Sequence, residues 1–183
     1  MPHITLPEGI AGIVGPMTAY PETAQHLNGL AEALLRGPSS LTSAERETIA
    51  ASVSSGNECY FCTQSHAAAA RAHFGEAADL VDKVLADRCS APVGEKLQAL
   101  LEIAQKVRKD ARSVQPEDVQ RARDAGADDK AIHDTVLIAA AFCMFNRYVD
   151  GLATWAPRDP EFYARMGRRL ADQGYHSSDH APA

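Results

Sequence analysis

The stretch LTSAERETIAASVSSGNECYFCTQSHAAAARAHFG, residues 41–75, decides the fold. Thr42 and Glu45 have the spacing of a capping box, in which each side chain satisfies a free backbone amide at a helix start. Behind them Ile49, Ala50 and Val53 recur at helical spacing, and the run SSGN breaks that helix before Glu58. A second helix is expected from Cys59 to Phe74, stopped by Gly75. The stretch therefore reads as a helical hairpin. Its second arm opens with two cysteines three residues apart and a histidine four residues later.

The flanking sequence repeats the helical pattern. A helix is expected from about Glu22 to Arg36, with Leu27, Leu30, Leu34 and Leu35 on one side and RGPSS as its end. Two more are expected at 76–87 and 93–109, the latter carrying Leu97, Leu100, Leu101, Ala104 and Val107. A short helix has Pro116 in its first turn and Gly126 as its stop. Asp128 then caps AIHDTVLIAAAFCMFNRYVDG, which is apolar nearly all round and so expected to be buried. An amphipathic helix from Glu161 to Gln173 closes the series. No period-two pattern survives, and the fold class is all-α. Three parts are expected: an extended arm over 1–22, broken by Pro2, Pro7, Pro16 and Pro21; one helical domain over 23–173; and a flexible polar tail over 174–183. The arm's apolar members, among them Ile4, Ile10 and Ile13, suit it to wrap its own core or a neighbouring subunit.

Composition narrows the function. The chain has 183 residues, 45% hydrophobic and 23% charged, the balance of one globular domain with a sizeable core. A net charge of −6 with no basic block argues against nucleic-acid or membrane partners. The N-terminus places no Lys or Arg ahead of its apolar residues, and Gly12 interrupts them, so no signal peptide or membrane span is expected and the location is cytoplasmic. In a reducing compartment four cysteines are not a disulfide scaffold; paired ones are catalytic or metal-binding.

On a helix Cys59 and Cys62 adjoin each other, and His66 lies one turn beyond Cys62. Both cysteines fall in the first turn after the break, where free amides and the helix dipole favour an anion by roughly 0.3–1 kcal/mol. With an imidazole beside it, Cys62 is expected to be a thiolate at neutral pH. Glu45, Glu47, Glu58 and Glu76 are candidates to hold the far nitrogen of His66, and spacing does not choose between Glu45 and Glu47. Two other chemistries use the same residues. Cys59, Cys62 and His66 with a fourth donor can hold zinc, although no second Cys/His pair is present. A thiol–disulfide oxidoreductase or redox sensor needs the pair but no peroxide. Cys89 and Cys143 read as structural, Tyr60 and Phe61 as packing aromatics or an apolar entrance. Asn146 and Arg147 interrupt a buried-looking helix, where a subunit contact or bonds to loop carbonyls would employ them.

ERETIAASVSSGNECYFCTQSH resembles the signature of the alkylhydroperoxidase D-like branch of the carboxymuconolactone decarboxylase superfamily. That branch has a Glu, a Cys-x-x-Cys twelve residues later, and a His four past the second Cys; Glu47, Cys59, Cys62 and His66 stand there. Asn146, Arg147, Asp150 and Gly151 are similar to the end of a core helix in the peroxidase-related subgroup. The resemblance spans roughly residues 5–172. It implies an all-α helical bundle that assembles as a homo-oligomer (dimer, trimer or hexamer) and works as a thiol peroxidase. Its partners would be a hydroperoxide substrate and a dithiol reductant, protein or lipoyl in type, with no cofactor and no metal. Cys62 would be the peroxidatic cysteine, Cys59 the resolving one, and Glu47 would complete a proton relay through His66. Family members lacking the cysteines are decarboxylases, so their retention points away from that activity. One departure stands out: the founding hydroperoxidases have a second histidine just before the later cysteine, and here that residue is Phe61.

Overall fold

A computed structural model describes residues 1–175, in which nine α-helices and no strand are found. The helices are α1 (Val14–Ala19), α2 (Pro21–Leu35), α3 (Ser43–Gly56), α4 (Tyr60–Phe74), α5 (Asp79–Ala86), α6 (Glu95–Asp110), α7 (Pro116–Asp124), α8 (Asp129–Gly151) and α9 (Pro160–Gln173). The capping box forms as expected: the Thr42 hydroxyl accepts from the Glu45 amide, and the Glu45 carboxylate accepts from the Thr42 amide. Asp128 likewise caps α8 by accepting from the Ala131 amide.

Helix α3 is the centre of the bundle, packed against α4, α6 and α8. Its burial exceeds the expected stripe of Ile49, Ala50 and Val53, for Arg46, Glu47, Thr48, Ser52 and Ser54 are buried too. Several of these polar side chains have partners that make burial tolerable. Thr48 donates to the Ala44 carbonyl, and Arg46 donates to the carbonyls of Leu34 and Gly37 at the end of α2.

The first helix of the hairpin ends within SSGN, before Glu58, as expected. Gly56 is still helical, and the left-handed residue is Glu58, at φ 61°. The Cys59 amide donates to the Ser54 carbonyl and the Glu58 amide to that of Ser55. This is a Schellman end, and it makes Cys59 at once the last residue of one helix cap and the N-cap of α4. Gly56 leaves room for Arg108: a Cβ there would stand 2.5 Å from its Nε, and the Arg108 guanidinium donates to the Gly56 carbonyl.

Three expectations change. Residues 1–22 are not extended throughout, because Val14–Ala19 form α1 and Pro21 opens α2, where its fixed φ and missing N–H suit a first turn. The arm's earlier part is tied down by donation from the His3 amide to the Leu152 carbonyl and from the Gly12 amide to that of Trp155. Helix α8 is not buried all round; Val136, Leu137 and Met144 are 36%, 37% and 43% exposed on one face of this single chain. Of the expected tail, Gly174 and Tyr175 pack inward against α2 and α4, while 176–183 lie outside the described residues.

Helices α4 and α9 meet at a glycine. A Cβ on Gly167 would lie 2.5 Å from the Ala68 carbonyl carbon and 2.6 Å from its Cβ, whereas a Cβ on Gly29 of α2 meets nothing within 4 Å. Two alanine substitutions should therefore have opposite signs. Gly29→Ala gains helix propensity and raises unfolding stability by about 0.5–1 kcal/mol. Gly167→Ala overpacks a backbone contact and lowers it by about 1–3 kcal/mol. Urea unfolding of both variants checks the pair.

Candidate active site

The hairpin brings α3 and α4 side by side, and Glu47 meets His66 across it. Nδ1 of His66 lies 2.7 Å from Oε2 of Glu47, while Oε1 accepts from Nη2 of Arg36 at 2.6 Å and from the Tyr175 hydroxyl at 2.7 Å. Glu47 has no exposed surface. Burial pushes its carboxyl up, but the His66 charge and hydrogen bond, then Arg36, then the Tyr175 hydroxyl outweigh this, and the net shift is downward. Glu47 is thus an ionised acceptor, which places the Nδ1 proton on His66 and leaves Nε2 as the nitrogen not engaged by it. Glu45, the alternative on spacing, is committed to the capping box, with Lys96 3.5 Å away. Glu58 and Glu76 are exposed.

Cys62 occupies the first turn of α4 and Cys59 its N-cap, and both are buried. Both thiols are free and lie in one buried apolar cluster. The expected thiolate is not what this environment favours. The hydrogen bond to Cys59 and then burial push the Cys62 thiol well above its usual range, and a bond with Asn146 pulls only partly the other way. A helix terminus contributes a fraction of a kcal/mol where it is solvated. Cys62 is 3% exposed, so lost hydration adds to the effect of the neighbouring sulfur and Cys62 rests as a thiol.

Cys62 and His66 open on one cavity of about 80 Å³, walled mainly by apolar side chains, including Met17, Leu27, Phe142 and Leu170. The edge of the His66 ring meets Phe142 at 4.5 Å between centroids. Phe61, where the resemblance would place a second histidine, packs on the Tyr163 ring, and Gly12 lies so close that a Cβ there would overlap it at 2.2 Å.

Sequence reasoning missed Arg36 and Tyr175. Arg36 had stood as the last residue of a helix. Tyr175 is the lone aromatic of the polar stretch DQGYHSSDH, and that oddity was the one available signal. Asn146 does bond across helices, accepting from Asn57 and donating to Ser54, which pins the hinge beside Cys62. Arg147 is exposed and donates to the Cys143 carbonyl of its own helix. Cys89 is exposed, and Cys143 is half-buried near Asn57. Among the described residues no three His, Cys, Asp or Glu side chains stand close enough to share a metal ion. No described helix is long and apolar enough to cross a membrane.

Glu47→Gln removes one charge from a buried cluster and leaves Arg36 unpaired, which should cost about 3–5 kcal/mol. The folded carboxyl lies below its ordinary 4.5, so its contribution is complete above that pH and is lost as pH falls through the folded value. Urea unfolding should show the gap between wild type and variant narrowing below pH 4.5. A gap that stays constant into acid would mean that Glu47 is not ionised in the native protein.

Residues 21–106 match the family model described as carboxymuconolactone decarboxylase family. No curated protein matches the chain. An uncharacterized peroxidase-related protein with an alkylhydroperoxidase core, from Ralstonia eutropha, superposes with a TM-score of 0.75 at 25% identity, covering 84% of this chain and 78% of its own. An uncharacterized peroxidase-related protein from a Silicibacter species gives 0.74 at 26% identity, over 84% and 80%. A protein of unknown function from Agrobacterium tumefaciens, at 22% identity, shares the fold with a TM-score of 0.69, over 82% of this chain and 100% of its own. Family match and shared helical architecture agree: residues 21–106 are similar to the carboxymuconolactone decarboxylase family, and the chain has the alkylhydroperoxidase D-like fold.

Proposed function

We propose that this protein is a thiol-dependent peroxidase that reduces organic hydroperoxides or hydrogen peroxide, an antioxidant activity carried by the Cys59–Cys62 pair. The observation that supports it most is the shared cavity: Cys62 and His66 line one apolar space, and a buried carboxylate holds the far nitrogen of that imidazole. The peroxidase-related neighbours in the same fold point the same way.

Because Cys62 rests as a thiol, its proton leaves as the substrate is attacked. Nε2 of His66 takes it, directly or through one water, while Glu47 stabilises the resulting imidazolium. The Cys62 sulfur attacks one peroxide oxygen, the O–O bond breaks, and His66 returns the proton to the departing alkoxide. The products are an alcohol and a Cys62 sulfenic acid. The Cys59 thiol then displaces hydroxide from that sulfur, releasing water and leaving a Cys59–Cys62 disulfide, which protects the site from over-oxidation. A dithiol of protein or lipoyl type reduces the disulfide through a mixed disulfide and is itself oxidised. The sum is one hydroperoxide and one external dithiol giving alcohol, water and one external disulfide. This chemistry suits the cytoplasm. The exposed face of Val136, Leu137 and Met144 supports assembly of further copies of the chain.

A second reading has its own support. Phe61 in place of a second histidine leaves one imidazole beside the thiols, which favours disulfide exchange with little peroxide turnover.

Thiol titration separates the two. One equivalent of an organic hydroperoxide should consume both Cys59 and Cys62 in the wild type, and none at that site in Cys62→Ser. His66→Ala should slow the loss by roughly 10²–10⁴-fold, the usual range for a general acid–base group. Unchanged thiols in the wild type, with rapid exchange against a protein disulfide, would establish the second reading instead.

A further inference from the structure

The Glu47 carboxylate has a partner that comes from neither arm of the hairpin. Beyond α9 the chain turns at Gly174, at φ 69°, and the Tyr175 amide donates to Oε2 of Glu32 on α2 at 2.7 Å. That positive φ favours glycine, and a Cβ on Gly174 would also stand 2.5 Å from that same Glu32 oxygen. The clip delivers the Tyr175 hydroxyl to within 2.7 Å of Oε1 of Glu47 and 3.2 Å of Nδ1 of His66. Its ring lies nearly parallel to the imidazole, at 15°, and the Arg36 guanidinium sits 5.2 Å from the ring centroid.

We infer that Tyr175 is a positioning residue of this site, a hydroxyl that anchors Glu47 and so holds the His66 ring with one nitrogen toward the carboxylate and the other available to the thiol cavity. The inference rests on the peroxidase reading for its consequence in catalysis, but not for its geometry. Burial raises the phenol well above its ordinary range, so Tyr175 stays protonated and acts as a donor to an ionised acceptor. Such bonds are stronger than neutral ones and more directional. The hydroxyl therefore does two things that Arg36 alone does not. It fills the remaining approach to Oε1, which limits rotation of the carboxylate, and it closes the His66 side of the cavity, which Gly174 and Tyr175 both line. Phe61 offers no polar group for this task, and the C-terminal segment supplies one from the opposite side.

Tyr175→Phe keeps the ring and removes the hydroxyl. The groups around Glu47 are Arg36 from α2, His66 and His73 from α4, Arg46 on α3 itself, and Tyr175 with Glu32 behind it. Of these only the Tyr175 hydroxyl is lost, and it is one that lowers the Glu47 carboxyl. Carbon-13 NMR of that carboxyl should therefore show its midpoint rising by about one unit in Tyr175→Phe. Glu32→Ala, which releases the clip, should move it in the same direction. With tert-butyl hydroperoxide as probe, the rate of thiol loss should fall roughly tenfold and its acid limb should move up with the carboxyl. A carboxyl midpoint unchanged in both variants would overturn the inference, whatever the wild type does with peroxide. A slower rate with an unmoved acid limb would overturn it also, since loosened packing alone gives that result. A wild type inert to peroxide whose Glu47 still shifts would leave the positioning role standing and defeat the peroxidase reading.

Discussion

The structure is organised around a carboxylate with no access to water. Glu47 sits on the central helix, and taking an ionised carboxyl out of solvent costs several kcal/mol unless charge and hydrogen bonds replace the lost hydration. The replacements come from α2, α4 and the segment after α9: Arg36, His66 and Tyr175. Each partner is thereby fixed by the same charge. Arg36 in turn bonds the Leu170 carbonyl of α9, so one buried anion joins four parts of the bundle that are far apart in sequence. The requirement to satisfy Glu47 orients the imidazole, and the imidazole is the group that faces the cavity shared with Cys62.

The thiol pair shows the opposite balance. An expectation built from helix position alone makes Cys62 a thiolate, because the first turn of α4 presents amides to it. Burial and the neighbouring sulfur decide otherwise. Two thiols in one dry site cannot both be solvated as anions, and hydrogen bonding between them stabilises the protonated partner. In the proposed peroxidase, reactivity then depends on a proton acceptor close at hand rather than on a standing negative charge, a task that falls to the Glu47–His66 pair. The same burial guards the resting thiols against adventitious oxidation, because access as well as thiolate character governs attack.

What was legible in the sequence was local. Thr42 with Glu45, Asp128, Pro116 and the Cys-x-x-Cys-x₃-His spacing each act within a turn or two, so the Thr42–Glu45 capping box, helix starts and the adjacency of Cys59, Cys62 and His66 could be read directly. The choice of Glu47 over Glu45 could not, since both lie on one helix and only the hinge geometry aims one at α4. That hinge turns at Glu58 rather than at a glycine, a left-handed conformation that side-chain sterics make uncommon, so composition gave no cue to it. Arg36 and Tyr175 were invisible for a different reason. They reach Glu47 across 11 and 128 residues of sequence, and no periodicity records contacts of that range. The exposed face of α8 was misread because an apolar helix surface looks alike whether it is covered by its own chain or left open.

Phe61 draws these threads together. In the resemblance this position carries a histidine, and its loss suggests a weakened relay. The surroundings argue for a rearranged one. Phe61 is 4% exposed, lies edge-on to Tyr163, and has Gly12 of the N-terminal arm pressed against its ring. A histidine seated in that apolar contact would need a polar partner or pay to bury an unpaired nitrogen. An aromatic hydrocarbon suits the arm's contact, and the polar groups of the site gather instead around Glu47, where Arg36, His66 and Tyr175 meet. Ala11 of the arm packs in one cluster with Cys59, Phe61 and Cys62, while Tyr175 reaches the Glu47 carboxylate from beyond α9.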